Sequence, residues 1–152
     1  MPGRHSVNDH PPLKIPARLE AVAQLADYLR ASCADAAVAP QAAIDLELAL
    51  VEAANNIILH GYAGRSDGTI GLLVRQGEGV VELELTDFGL PMDDGQIMMC
   101  RPFSLDDESG RGIQIIQSCI DLIDYRRDAG VNCLAMTKFF DPPAPTDILS
   151  AG

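Results

Sequence analysis

A carboxylate and an amide interrupt an otherwise oily run in this chain. In Leu46-Glu47-Leu48-Ala49-Leu50-Val51-Glu52-Ala53-Ala54-Asn55-Asn56-Ile57-Ile58-Leu59-His60-Gly61-Tyr62, Glu52 and Asn56 stand four residues apart. In an α-helix that spacing is about one turn, so both side chains share a face. Burying a neutral polar group without compensation costs roughly 2–7 kcal/mol. Something polar should therefore lie against that face, and a nucleotide with its metal ion fits. The amide oxygen of Asn56 suits Mg²⁺, a hard ion that takes oxygen ligands and shares its sphere with phosphates. Glu52 suits a general base that draws a proton from a hydroxyl or a water as it attacks a phosphoryl group. The plainer alternative has both side chains capping nearby backbone groups.

Two further segments carry chemistry. Asp87-Phe88-Gly89-Leu90-Pro91 ends a strand-like run on an acid and enters a glycine turn. An Asp that merely starts a turn is common, so this segment is informative only in company. Ser109-Gly110-Arg111-Gly112-Ile113 places Gly110 and Gly112 just before a helical pattern. Unpaired amides at a helix start suit phosphate oxygens, and Arg111 between the glycines can face phosphate or solvent. Residues 90–109 between these segments have weak periodicity and carry Asp93, Asp94, Asp106, Asp107 and Glu108 beside Met92, Met98, Met99 and Phe103. Long irregular stretches inside compact domains are usually functional. Their methionines adapt to a ligand, a partner or the core.

The elements that must position these groups follow from periodicity. Leu13 to Pro16 reads as a short edge strand, since proline cannot donate in a central ladder. Leu19, Val22, Leu25, Ala26, Leu29 and Cys33 recur at helical steps between Ala17 and Ala37, with Arg18, Glu20, Gln24 and Arg30 on the wet side. A second helix starts at Pro40 and runs to about Leu59, with Gly61 expected as its left-handed cap. Ile44, Leu48, Val51, Asn55 and Ile58 mark one side of it, and Glu52 and Asn56 the neighbouring side. Residues 69–76 and 80–86 alternate and flank Gly77-Glu78-Gly79, which predicts an antiparallel hairpin. A helical pattern over Ile113, Ile116, Ile120 and Ile123 precedes two more strands, 122–127 and 132–140, joined at Asp128-Ala129-Gly130. Residues 1–12 and 141–152 read as tails around a domain at 13–140.

The totals narrow the function classes. A chain of 152 residues with 47% hydrophobic content suits one domain with its own core. A net charge of -11 argues against direct binding to nucleic acid or to an anionic membrane surface. It suits a basic protein partner, or simple solubility. Cys33, Cys100, Cys119 and Cys133 are scattered, with neither zinc spacing nor a disulfide framework. The start of the chain lacks the apolar core of a signal peptide, and the apolar runs fall far short of the ~20 residues of a membrane span. The expected location is the cytoplasm, with reduced thiols.

Taken in order, the helix with Glu52 and Asn56, the Asp87–Pro91 turn and the Ser109–Ile113 turn resemble the GHKL ATP-binding fold of histidine kinases, Hsp90 and gyrase. The run Glu52 to Tyr62, with its His-Gly-Tyr ending, resembles more narrowly the RsbW-type serine kinases that act as anti-sigma factors. The resemblance covers about Leu13 to Phe140. It implies an α/β (α+β) two-layer sandwich of Bergerat type: a mixed, mainly antiparallel sheet with helices on one face. It implies ATP and Mg²⁺ as cofactors, with Asn56 at the metal, Glu52 as base and Asp87 accepting from the adenine amino group. Gly89 would admit the base closely, and Gly110, Arg111 and Gly112 would hold phosphates. It implies a protein serine kinase that binds a sigma factor, blocks its access to RNA polymerase and phosphorylates an anti-anti-sigma (STAS-type) partner, as a homodimer in some cases. Two other readings stand beside this one: a nucleotide-binding partner-switch module without phosphoryl transfer, and a regulator of a target other than sigma. The chain departs from the pattern at Pro91, where a second glycine is usual. The threonine that commonly closes the adenine pocket is represented by either Asn132 or Thr137.

Overall fold

The computed structural model describes residues 11–63, 65, 67–91 and 115–141. Five strands form one sheet in the order β1-β2-β3-β5-β4: β1 Leu13–Pro16, β2 Thr69–Gly77, β3 Val80–Asp87, β4 Leu122–Asp128 and β5 Val131–Phe139. Every pairing is antiparallel, so the mixed sheet expected from sequence is a purely antiparallel one among the described residues. Alternation along β2 and β3 turns Ile70, Leu72, Val74, Val81, Leu83 and Leu85 to a single buried face.

Two helices cover that face: α1, Val22–Asp35, and α2, Pro40–Asn56. They pack on each other, with α1 also against β1 and β2 and α2 against β5. Polar ties fix the layers. Gln76 Nε2 donates to the Ser32 carbonyl at 2.7 Å, and Lys138 Nζ lies 3.2 Å from Asp45 Oδ2. The opposite sheet face has no described helix on it and carries the ion pairs of Arg75 with Glu82 and Glu84.

Three expectations change. The first helix opens as a 3-10 turn over Leu19–Ala21, and Leu19 is exposed rather than part of the core stripe. In α2 the buried side is Ala42, Leu46, Ala49, Leu50, Ala53 and Ala54, whereas Ile44 and Leu48 are 60% and 44% exposed. Small alanines allow close approach of helix to helix and helix to sheet, which outweighs the greater hydrophobicity of the other side. Finally, helix 115–119 stops before Ile123, which belongs to β4.

Cys33 and Cys119 are buried free thiols and Cys133 is a half-buried one. Burial pushes the Cys33 thiol up to about 11, so it behaves as a small apolar residue. Cys100 lies outside the described residues, as do most of both expected tails. No described helix is long and apolar enough to cross a membrane.

Candidate functional site

The end of α2 does not stop on a left-handed glycine. After Asn56 the backbone widens into a π turn, Ile57–Gly61, closed by the Tyr62 N–H donating to the Ile57 carbonyl at 2.8 Å. Gly61 has no left-handed φ; the chain makes its left-handed step at Ala63, φ 52°. Single π turns recur at functional sites because they redirect backbone groups. Here the Gly61 carbonyl accepts from the Leu90 N–H at 2.7 Å, which docks the Asp87–Pro91 turn on the helix end. Tyr62 reinforces the joint: its hydroxyl accepts from the Phe88 N–H at 2.8 Å and donates to the Thr69 carbonyl at 2.6 Å.

Gly89 serves this joint. A Cβ on Gly89 would lie 2.6 Å from both the carbonyl carbon and oxygen of Gly61. The glycine is thus required by backbone meeting backbone, a demand the sequence reading assigned to the approach of a base.

Asp87 sits at the floor of the same corner, 5% exposed. Its Oδ1 accepts from the Gly89 N–H at 2.8 Å and from Asn132 Nδ2 at 2.9 Å. No described residue donates to Oδ2. Since no fully enclosed side-chain oxygen or nitrogen of the described residues lacks a partner, Oδ2 keeps access to solvent. Burial raises the Asp87 carboxyl above its usual range, opposed by the hydrogen bonds from Asn132 and Gly89 and by the charge of Arg127.

Strand register separates the two candidates for the pocket-closing position. Asn132 stands opposite Asp87 across β3 and β5, on the buried face. Thr137 stands opposite Glu82 and lines a shallow cleft of about 320 Å³ on the open sheet face, with Arg75, Glu84 and Arg126. Five residues of strand, about 17 Å, separate the two. The cleft is walled by side chains that already pair with each other, and it lies on the other side of the sheet from Asp87.

Two residues emerge that the sequence reading did not name. Tyr125 donates to Asn132 Oδ1 at 2.8 Å. Arg127 Nη1 donates to the same oxygen at 2.7 Å and to the Gly89 carbonyl at 3.0 Å. The signal was the Ala129-Gly130 turn, which pairs Arg127 with Asn132 once the hairpin is closed.

Glu52 and Asn56 lie on α2, one helical turn apart and both half-buried. Neither makes a side-chain hydrogen bond or ion pair with any described residue, so the backbone-capping alternative is not realised there. His60, in the π turn, is exposed. Gly110, Arg111 and Gly112 lie outside the described residues, as does most of the stretch 90–109. The structure thus places an open carboxylate oxygen, a general-base candidate and an unpaired amide on α2 and the turn docked to its end.

Comparison with known proteins bears on the family and the fold. A family model described as the histidine kinase-like ATPase domain matches residues 15–138. The serine-protein kinase RsbW of Halalkalibacterium halodurans is 33% identical over 102 residues, 62% of this chain and 61% of that protein. An anti-sigma F factor of Clostridium botulinum is 31% identical over 102 residues, 62% of this chain and 70% of its own length. The solved RsbU and RsbW domains of a Mycobacterium tuberculosis protein share the fold, with a TM-score of 0.60 and 20% identity over 89% of this chain and 34% of that one. The chain therefore spans less than two thirds of the Halalkalibacterium protein. Because the family match runs from β1 to β5 and takes in both long helices, the chain belongs to the histidine kinase-like ATPase domain family.

Proposed function

We propose that the chain is an ATP-dependent protein serine kinase of the anti-sigma class, which binds a sigma factor and phosphorylates a serine of an anti-anti-sigma partner. The names of its relatives support the class. The observation that carries the chemistry is the unpaired Glu52 and Asn56 on α2 together with, on the turn docked to that helix's end, an Asp87 with one oxygen held and one open.

Asp87 Oδ2 would accept from the exocyclic amine of adenine, with Oδ1 held by Gly89 and Asn132. Glu52 would take the proton of the attacking serine hydroxyl as its oxygen bonds to the γ-phosphorus and ADP leaves. Asn56 fits a magnesium ligand: its amide is half-buried on α2 and has no side-chain partner among the described residues. Mg²⁺ is ordinarily held by few protein oxygens with water and phosphate completing the shell. When bound, the ion would neutralise charge on the transferring phosphoryl group. Gly110, Arg111 and Gly112 are proposed for the phosphates, on the sequence argument alone.

The test is phosphate transfer from labelled ATP to the partner protein. Glu52→Ala should keep ATP binding and lower transfer by about 10²–10⁴, the usual worth of a general base. Transfer that survives Glu52→Ala unchanged removes Glu52 as base. ATP binding by the unmodified chain without any transfer supports the partner-switch module instead.

A further inference from the structure

Asn132 has its amide oriented by its surroundings. Its Oδ1 meets two donors, Tyr125 Oη and Arg127 Nη1, at 2.8 and 2.7 Å. Its Nδ2 meets three acceptors: Asp87 Oδ1 at 2.9 Å, the Gly89 carbonyl at 3.0 Å and the Leu90 carbonyl at 3.4 Å. Flipping the amide would set its oxygen against those three oxygens and its nitrogen against a guanidinium that cannot accept. The orientation is therefore fixed, and Arg127 is the group that fixes it most firmly. Asn132 is 2% exposed, while Arg127, its partner in register across β4 and β5, is exposed.

The consequence runs to Asp87. Both hydrogens of Asn132 Nδ2 are committed, and so is the Gly89 N–H. The group left facing outward is Asp87 Oδ2, an acceptor. We infer that Arg127 and Tyr125 are positioning residues for base selection. By locking Asn132 they hold Asp87 Oδ1 in place and present Oδ2 alone, so that the corner takes a ring bearing an exocyclic amine and repels one bearing an oxo group there. A free Asn132 amide could turn its NH₂ outward and accommodate the oxo group. This inference rests on the adenine reading of Asp87.

ADP and inosine diphosphate differ only on that edge of the ring: amine against oxo, with the adjacent ring nitrogen an acceptor in the first and an N–H donor in the second. Titration calorimetry of each into the full chain, its Arg127→Met, Arg127→Lys, Tyr125→Phe and Asn132→Ala variants and Asp87→Asn reads the effect as a ratio of affinities. The unmodified chain should favour ADP by about tenfold or more, the net worth of one hydrogen bond to a charged group. Arg127→Met and Asn132→Ala should bring the ratio towards one, Tyr125→Phe should lower it partly, and Arg127→Lys should restore most of it. Arg127 and its neighbours in β4 are exposed, so the Met and Lys variants leave the core intact. If Asp87→Asn flattens the ratio but Arg127→Met and Asn132→Ala keep it, the positioning role is wrong and the adenine reading stands. A parallel loss of both affinities at a constant ratio equally overturns the positioning role. If Asp87→Asn keeps the ratio, or the unmodified chain binds neither nucleotide, the adenine reading and this inference fall together.

Discussion

Replacing Gly89 with alanine should cost both stability and nucleotide affinity. The added Cβ would meet the Gly61 carbonyl carbon and oxygen at 2.6 Å and the Tyr62 nitrogen at 3.1 Å. Ordinary contact begins near ~3.5 Å, so the two backbones must part by about 1 Å, and neither is a flexible side-chain tip. Overpacking of this kind costs about 1–3 kcal/mol. Parting them also stretches the 2.7 Å bond from Leu90 N–H to the Gly61 carbonyl, worth about 0.5–1.5 kcal/mol net. The expected total is about 2–4 kcal/mol, read as a shift of the urea unfolding midpoint at constant slope. Gly61→Ala is the control. Its Cβ would meet Asp87 Oδ1, Ile57 Cγ2 and the Leu90 carbonyl oxygen at 3.8–3.9 Å, which is ordinary contact, and Gly61 has no left-handed φ. That variant should stay within about 0.5 kcal/mol of the parent. Equal, small effects of the two substitutions would refute the docking of the turn on the π turn.

Tyr62→Phe should cost about 1–3 kcal/mol, because the Phe88 N–H loses the only acceptor described for it; an unchanged urea midpoint would contradict this. The raised carboxyl of Asp87 makes its contribution to stability complete below the usual 3.8 and lost as pH rises through the higher native value. Relative to Asp87→Asn, which cannot titrate, the parent should therefore lose stability as pH climbs above 3.8; a pH-independent difference would contradict it. Ala129 holds φ 53° beside Gly130 at 81°, a turn that favours Asn-Gly. Ala129→Asn should raise stability by about 1 kcal/mol in thermal unfolding, and a lowered melting point would count against the left-handed step.

The sheet was legible because burial follows a period of two: Leu72 and Val74 face Leu85 and Leu83 across one hairpin, with Ile70 and Val81 on the same buried face. The inward side of α2 was not, because Ile44 and Leu48 outweigh Ala49, Ala53 and Ala54 on any hydrophobicity scale, while close packing favours the smaller residues. Gly61 misled for a related reason. A glycine at a helix end ordinarily means a left-handed cap, and the π turn found instead depends on Gly89 and Leu90, distant in sequence. Glu52 and Asn56 stood out by residue type, since polar groups in an apolar run demand a reason, whereas Asp87 stood out only in company with the helix before it and the glycine turn after it. The choice between Asn132 and Thr137 needed strand register, and so did Tyr125 and Arg127, which matter only because β4 lies beside Asn132.

The central claim is that a nucleotide lies along Glu52 and Asn56 and ends on Asp87. Amide NMR of the chain titrated with ADP and Mg²⁺ tests it directly. The account predicts shifts concentrated at Glu52, Asn56, Gly61, Asp87, Gly89 and Asn132. Shifts confined to the open sheet face around Arg75, Glu84 and Thr137, or none at saturating nucleotide, would contradict it.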